Sequence, residues 1–485
     1  MDVQWGRGRG RGRGWGLELV QAQDGGGKAG QQATGLQRLW LRLAGGGARK
    51  AALVTLAIRV AGAALAYVAQ VLMARWMGAF DYGIYSVVWT VVMILALFAC
   101  LGFSSSPGRF IPLYRGEGAL ALLRGYLTAS RVIVFLAACV IGAAVALMVL
   151  LLRPILDPAY VQPLMLAMLA LPFFALAGVQ DGIARAHDRP DLGLMPSFIW
   201  RPLLILLLLF LALQAGFAVD AATAVLAGAV ASALVALDQL WRLNRVIGRQ
   251  LPAGPRAHAP RLWLAVSLPM LLVEGFLQLV TSADVIMVSF WQSPDEVAVY
   301  FAASKTLALV HFIYFAVRAA SAHRFAALHG ASHEAAGRSA FEAYVRRAGF
   351  WTFWPSVAAA AVLIAAAPFL LALFGPGFEA GTPLIAVLLI GVLARASAGP
   401  ADVLLTMCGL QKACAAIYSG VFVLNVGLNL LLIPPFGLMG AAVATSLAIT
   451  GEALALIFVA RRRLGVLPFA PFAFSLALRR EGRNG

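Results

Sequence analysis

Charge is scarce in this sequence. Lys, Arg, Asp and Glu make up 12% of its 485 residues, about half the usual share of a soluble chain. A soluble fold built from 61% hydrophobic residues would leave too much apolar surface in water. An integral membrane protein is the class that remains. Cysteine is scarce as well. Cys100, Cys139, Cys408 and Cys414 lack metal-ligand spacing and lie in or beside apolar runs, so neither a disulfide framework nor a zinc site is expected. Long polar connections are missing too. The longest, near 241–262 and 319–348, are basic and too short for a catalytic or nucleotide-binding domain. There is no Walker A motif, so ATP-driven transport would need a separate subunit. A membrane-bound glycosyltransferase or polymerase therefore ranks last among the readings. No short apolar segment of signal-peptide type opens the chain, and the first spanning helix is expected to serve as targeting signal.

Apolar segments dominate what is present. About twelve occur, near 51–74, 85–103, 126–152, 161–180, 194–214, 219–240, 263–290, 297–318, 349–373, 383–406, 413–433 and 437–460. Each approaches the ~20 residues a helix needs to cross hydrocarbon. A last run, Val466–Leu478, has 13 residues and two prolines and is expected to lie at the interface. Residues 1–48 differ from the rest, with Arg and Gly alternating over Arg7–Gly14 and glycine triplets at 25–27 and 45–47. This composition predicts a disordered cytosolic tail.

The net charge of +17 would suit nucleic acid if it were gathered on one domain. It is instead distributed over membrane connections. With the N-terminus inside, alternate connections hold eighteen Lys and Arg on the inner side, against only Arg75 and Arg153 outside. The positive-inside rule predicts such an asymmetry. It places both termini in the cytosol and removes the argument for nucleic acid. His329 and His333 lie four apart in an inner connection without a clear third ligand and read as a surface helix.

The chain repeats internally. Gly78-Ala-Phe-Asp-Tyr-Gly-Ile-Tyr85 precedes the second apolar segment, and Ser293-Pro-Asp-Glu-Val-Ala-Val-Tyr300 precedes the eighth, 215 residues later. The same offset pairs Arg109-Phe110 with Arg324-Phe325, and Arg131 with Arg346. Six segments per half is an even number, so both halves enter the membrane in one orientation around an axis along its normal. The expected fold is an all-α polytopic membrane protein of about twelve helices, in two pseudo-symmetric six-helix bundles around a central cavity. Residues 49–240 and 263–463 form the bundles, 241–262 the basic linker and 464–485 a terminal tail.

Several segments resemble a known family. Asn429-Leu-Leu-Leu-Ile-Pro-Pro-Phe-Gly-Leu-Met-Gly-Ala-Ala-Val-Ala-Thr-Ser446 resembles the signature of polysaccharide flippases, as do Arg75–Tyr85, Val299–Lys305 and Leu373–Phe378. Over roughly residues 50–460 the chain is similar to Wzx-like polysaccharide transporters of the MOP (multidrug/oligosaccharidyl-lipid/polysaccharide) superfamily. The resemblance implies movement of an undecaprenyl-diphosphate-linked oligosaccharide across a bacterial inner membrane, for surface polysaccharide or lipopolysaccharide synthesis. It implies a polysaccharide polymerase as partner and no cofactor. A cation-coupled multidrug exporter of the same superfamily is the alternative, which a net cationic cavity disfavours.

Six cations lie inside apolar segments: Arg59, Arg131, Arg201, Lys305, Arg318 and Arg395. A charge at the centre of a membrane helix costs about 2.5–3.5 kcal/mol on insertion scales, which marks such residues as functional candidates. Arg59, Lys305 and Arg395 lie deep and are expected to face a cavity where they would replace the hydration of the diphosphate. Arg318 is nearer the inner end, where it would capture an incoming head group or snorkel. Arg131 and Arg201 are expected to snorkel. Glu274 and Asp284 are the acids in the seventh segment. Glu274 aligns with Arg59 across the repeat, so a gating ion pair, coupling to a proton or Na⁺, and a static structural pair all remain open. Asn425 and Asn429, one turn apart, read as helix-packing groups more than as sugar ligands.

Overall fold

The computed structural model describes residues 47–330 and 335–469. The Arg/Gly-rich segment up to residue 46, His333 and most of Val466–Leu478 lie outside the described residues. Everything below concerns the unit that begins at Ala51.

The described residues form helices joined by short turns. They are α1 (Gly47–Ala99), α2 (Pro107–Gly116), α3 (Leu120–Leu152), α4 (Pro158–Ala186), α5 (Pro190–Met195), α6 (Arg201–Gln214) and α7 (Ala221–Gln250) in the first half. The second half holds α8 (Pro260–Val288), α9 (Pro294–Gly330), α10 (Ala335–Ala372), α11 (Thr382–Ser397), α12 (Ala401–Met407) and α13 (Gln411–Leu464). Ten stretches are long and apolar enough to cross a membrane. Two of them, in α1 and α13, contain two crossings each, giving twelve.

Two glycines make those reversals. Gly78 has φ +80° and Gly437, just beyond Pro434-Pro435-Phe436, has φ +54°. Both conformations penalise any residue with a Cβ. Side-chain bonds show that the chain turns back. Tyr82 Oη donates to Gln70 Oε1 at 2.9 Å, although twelve residues of straight helix would span about 18 Å. Asn425 Nδ2 likewise reaches Thr445 Oγ1 at 3.5 Å across Gly437. The fifth crossing starts with a π-helical turn, Pro196–Trp200, between α5 and α6. The tenth is broken at Gly399-Pro400, between α11 and α12.

Six crossings thus belong to each half. One face carries the Arg-rich connections and is called the basic face below. On the opposite face the two repeated turns dock against each other. A Cβ at Gly83 would overlap the Pro294 carbonyl oxygen. Tyr82 packs at 5.9 Å from Phe301, 6.2 Å from Phe374 and 6.3 Å from Phe378, and Arg75 donates to the carbonyls of Ala372 and Leu373. Further in, Tyr67 Oη donates to the Leu370 carbonyl at 3.2 Å. This aromatic seam belongs to a core shared by both halves.

The halves have diverged on the basic face. Phe110 and Phe325, paired by the repeat, are both buried. In the first half the chain breaks before Phe110, through Gly102, three serines and Pro107. In the second half α9 runs unbroken through Phe325, because Arg318–Phe325 contains neither Gly nor Pro.

Candidate functional site

Charge enters the interior at three places. The first joins both bundles. Arg59 on α1 is exposed, with its guanidinium 5.8 Å from the centre of the Phe198 ring. It lies within electrostatic reach of Arg185 and Asp181 on α4 and of Arg318 on α9. Arg185, counted from sequence only as a connection residue, is exposed and donates from Nη2 to the Ser104 carbonyl at 3.2 Å. Asp181 accepts from Gln239 Nε2 at 2.7 Å and Ser197 Oγ at 3.1 Å. Arg59 thus stands within electrostatic reach of two further guanidinium groups and of the Asp181 carboxylate, contributed by both halves.

Arg59 and Glu274, equivalent under the repeat, have separate partners. Glu274 on α8 accepts from Ser104 Oγ at 3.2 Å and from Ser105 Oγ. Those serines sit in the break before α2, so this acid tethers the second bundle to the first. The link continues to Arg185 through the Ser104 carbonyl.

The second place is the basic end of the second bundle. Arg318 Nε pairs with Asp402 Oδ2 at 2.9 Å, the arginine side chain 34% exposed and the acid 5%. Tyr314 Oη donates to the other Asp402 oxygen at 2.8 Å. Arg395 is paired with Glu452 through two hydrogen bonds and is only 5% exposed. Both ion pairs lie within electrostatic reach of Tyr418. Of the four proposed cargo-binding cations, Arg395 is thus held within a bundle, while Arg59 and Arg318, from different bundles, lie within electrostatic reach of each other. Both acids stand in apolar segments of the sequence; their pairing with Arg318 and Arg395 is the contribution of the folded chain.

The third place surrounds Asp284, which is 5% exposed. Its Oδ2 accepts from Tyr300 Oη at 2.7 Å and Thr445 Oγ1 at 3.4 Å. Asn425 Nδ2 donates to the same threonine hydroxyl. Asn429 Nδ2 donates to Asn425 Oδ1 at 3.1 Å, while Asn429 Oδ1 is buried without a partner among the described residues. Lys305 lies within electrostatic reach of Asp284, its Nζ 4.5 Å from the Phe301 ring centre. Sequence spacing placed the two asparagines on one helix face. It did not show that the reversal at Gly437 would carry Thr445 to them.

Arg201 departs from expectation. It does not snorkel but is 8% exposed, 4.2 Å from the Phe174 ring centre inside the first bundle. The π-helical turn directly before it adds a residue to the helical circuit. Such turns re-aim the side chains that follow and occur often at functional positions.

Comparisons with known proteins agree with this architecture. A family model described as "Polysaccharide biosynthesis protein" matches residues 48–322. Comparison with curated protein sequences found no match. Among solved structures, an inward-facing multidrug resistance MATE family transporter of the MOP superfamily superposes with a TM-score of 0.64 at 15% identity, covering 83% of this chain and 94% of that one. The lipid II flippase MurJ in an inward closed conformation gives 0.64 at 16% identity, covering 84% and 87%. A MOP superfamily transporter from Pyrococcus furiosus, whose binding pocket is described as having reverse polarity, gives 0.60 at 15% identity, covering 87% and 97%. The fold is that of MOP superfamily transporters, and the chain belongs to the polysaccharide biosynthesis protein family.

Proposed function

We propose that this protein flips a polyprenyl-diphosphate-linked oligosaccharide across the bacterial cytoplasmic membrane by alternating access. The observation that carries the reading is that the exposed Arg59 lies within electrostatic reach of Arg185 in its own bundle and of Arg318 in the other. Guanidinium groups bind phosphate oxygens in bidentate fashion and keep their charge in an apolar setting. Here they would take the diphosphate from the basic face, which is the cytosolic one by its Lys/Arg excess. The seam of Tyr82, Phe301, Phe374 and Phe378 would have to part for release on the other side. Lys305 stands closer to that seam along α9 and would meet the diphosphate later in the passage. Arg395 would serve through the packing of its bundle.

The Asp284 cluster supports coupling to a cation. Asp284, Asn425, Asn429 and Thr445 offer a carboxylate, amide oxygens and a hydroxyl, which suit a hard cation. They would hold Na⁺, or Asp284 would take a proton; either would neutralise a carboxylate buried among α8, α9 and α13. Glu274, tied to Ser104 and Ser105, would act as the gate between bundles on the basic face.

Reconstituted vesicles carrying a fluorescent lipid-linked oligosaccharide test the reading. Arg59→Ala and the paired variant Arg318→Ala/Asp402→Asn should each slow flipping at least about tenfold, the worth of one charge-assisted contact, without changing detergent-solubilised folding. Asp284→Asn should abolish dependence on a proton or Na⁺ gradient. Wild-type rates in both cation variants would overturn the anion-binding assignment. Efflux of cationic dyes without oligosaccharide flipping would favour the multidrug exporter instead.

A further inference from the structure

One cationic group in the first bundle plays no part in this scheme. Arg131 leaves α3 near the basic face and donates from Nη1 to Asn244 Oδ1 on α7 at 2.7 Å. Its Nε and Nη2 are buried and have no hydrogen-bond partner among the described residues. Directly after α4, His187 is 5% exposed. Its Nδ1 donates to the Ile183 carbonyl at 2.9 Å, and its Nε2 is buried without a partner. Arg131 and Arg115 both lie within electrostatic reach of that ring. No ion pair is formed by Arg131, Arg115 or His187 among the described residues; Arg115 donates instead to Gln250 Oε1 at 3.0 Å. Buried donors on a charged group left unpaired are unfavourable by several kcal/mol in general. A phosphate would satisfy them.

The surroundings favour a phosphate that arrives on a lipid. Arg131 and Asn244 bridge α3 and α7 across the end of α4. Beside that bridge the outward surface is apolar and aromatic: Val132 and Leu136 on α3 are exposed, as is Trp241 on α7, whose ring carries Arg245 at 5.6 Å. Basic groups between membrane helices on the inner side, flanked by an interfacial tryptophan, are the pattern that recognises anionic head groups.

We propose that Arg131, His187 and Asn244 form a binding site for the phosphate of an anionic glycerophospholipid of the inner leaflet, separate from the cargo path. Arg131 supplies Nε and Nη2 to the phosphate oxygens, and Asn244 keeps the guanidinium in place through Nη1. His187 takes a proton from solvent as the phosphate enters, so that Nε2 becomes a donor. The charged groups within reach of the ring are Arg115 on α2, Arg131 on α3 and Asp188 beside it; the α7 residue at the site, Asn244, is neutral. Burial, with Arg115 and Arg131 adding to it, holds the imidazole below its ordinary value, so phosphate binding should strengthen as the pH falls.

Native mass spectrometry of the full chain decides this, using phosphatidylglycerol, phosphatidylcholine and inorganic phosphate as separate probes. Wild type should retain one phosphatidylglycerol in preference to phosphatidylcholine, more tightly at pH 6 than at pH 8. Arg131→Gln and His187→Gln should each weaken retention about tenfold, one charge-assisted hydrogen bond, and His187→Gln should remove the pH difference. Each variant is compared at equal thermal stability in detergent, and His187→Gln carries the test should Arg131→Gln fail to fold. Equal retention by wild type and variants would overturn the site. Equal binding of both lipids, or displacement of phosphatidylglycerol by millimolar inorganic phosphate, would overturn its assignment to a lipid. The outcome is independent of the flipping assay, which does not involve these residues.

Discussion

Arg395 and Glu452 face each other as a two-pronged ion pair, Nε to Oε1 at 3.1 Å and Nη2 to Oε2 at 2.5 Å, with side chains 7% and 1% exposed. The pair joins α11 to the last crossing in α13. In the first bundle the fourth and sixth crossings are joined by Gln239, whose Nε2 donates to the Asp181 carboxylate at 2.7 Å. Both bundles thus join these crossings through polar side chains.

Removing one partner of a buried pair strands the other, at a typical loss of about 3–5 kcal/mol. Arg395→Ala and Glu452→Ala should each lower the apparent Tm in detergent markedly. Arg395→Met/Glu452→Leu should recover most of that loss, since a well-packed apolar pair replaces both charges. Thermal unfolding followed by intrinsic fluorescence checks this. Equal losses in the single and double variants would show that Arg395 acts outside the pair.

The Arg318–Asp402 pair is open to solvent on its arginine side, which is 34% exposed. Arg318→Ala leaves Asp402 with only Tyr314 as a side-chain hydrogen-bond partner among the described residues. A double-mutant cycle with Asp402→Asn should give a coupling of about 1–3 kcal/mol in stability. Additive losses would mean that the two side chains act independently.

Gly83 sits where the repeated turns meet, with no room for a side chain against the Pro294 carbonyl. Gly83→Val should hold the bundles apart on the face opposite the basic one. A cysteine at Phe378, in a background lacking the four native cysteines, should then label faster with a membrane-impermeant maleimide. Unchanged labelling would show that the seam opens without separation of these turns.

Breaking the tether between bundles is expected to act on the other face. Glu274→Gln keeps a hydrogen-bond acceptor for Ser104 and Ser105 but removes the charge-assisted part of the bond, worth about 1 kcal/mol. Labelling of a cysteine at Ser267, beside Gly102, should rise a few-fold. Loss of labelling instead would mean that Glu274 holds the bundles apart.

Membrane embedding, twelve crossings, duplication and the basic face were all legible in the order of residues. Each follows from a one-dimensional quantity: the length of an apolar run, the spacing of Lys and Arg, or an offset of 215 residues. The lipid requires every crossing to satisfy its own backbone, so local composition dictates the element. Partnership among the charges was not legible. Arg59 and Arg395 looked alike as deep cations in apolar helices, with Arg318 nearer the inner end. Folding left Arg59 exposed within electrostatic reach of Arg318, paired Arg318 with Asp402, and sealed Arg395 against Glu452, 57 residues away. Which cation is compensated depends on helix rotation and on breaks such as the π-helical turn before Arg201 and the reversal at Gly437. Those are set by packing across the bundles, where neighbours distant in sequence decide the direction of each side chain.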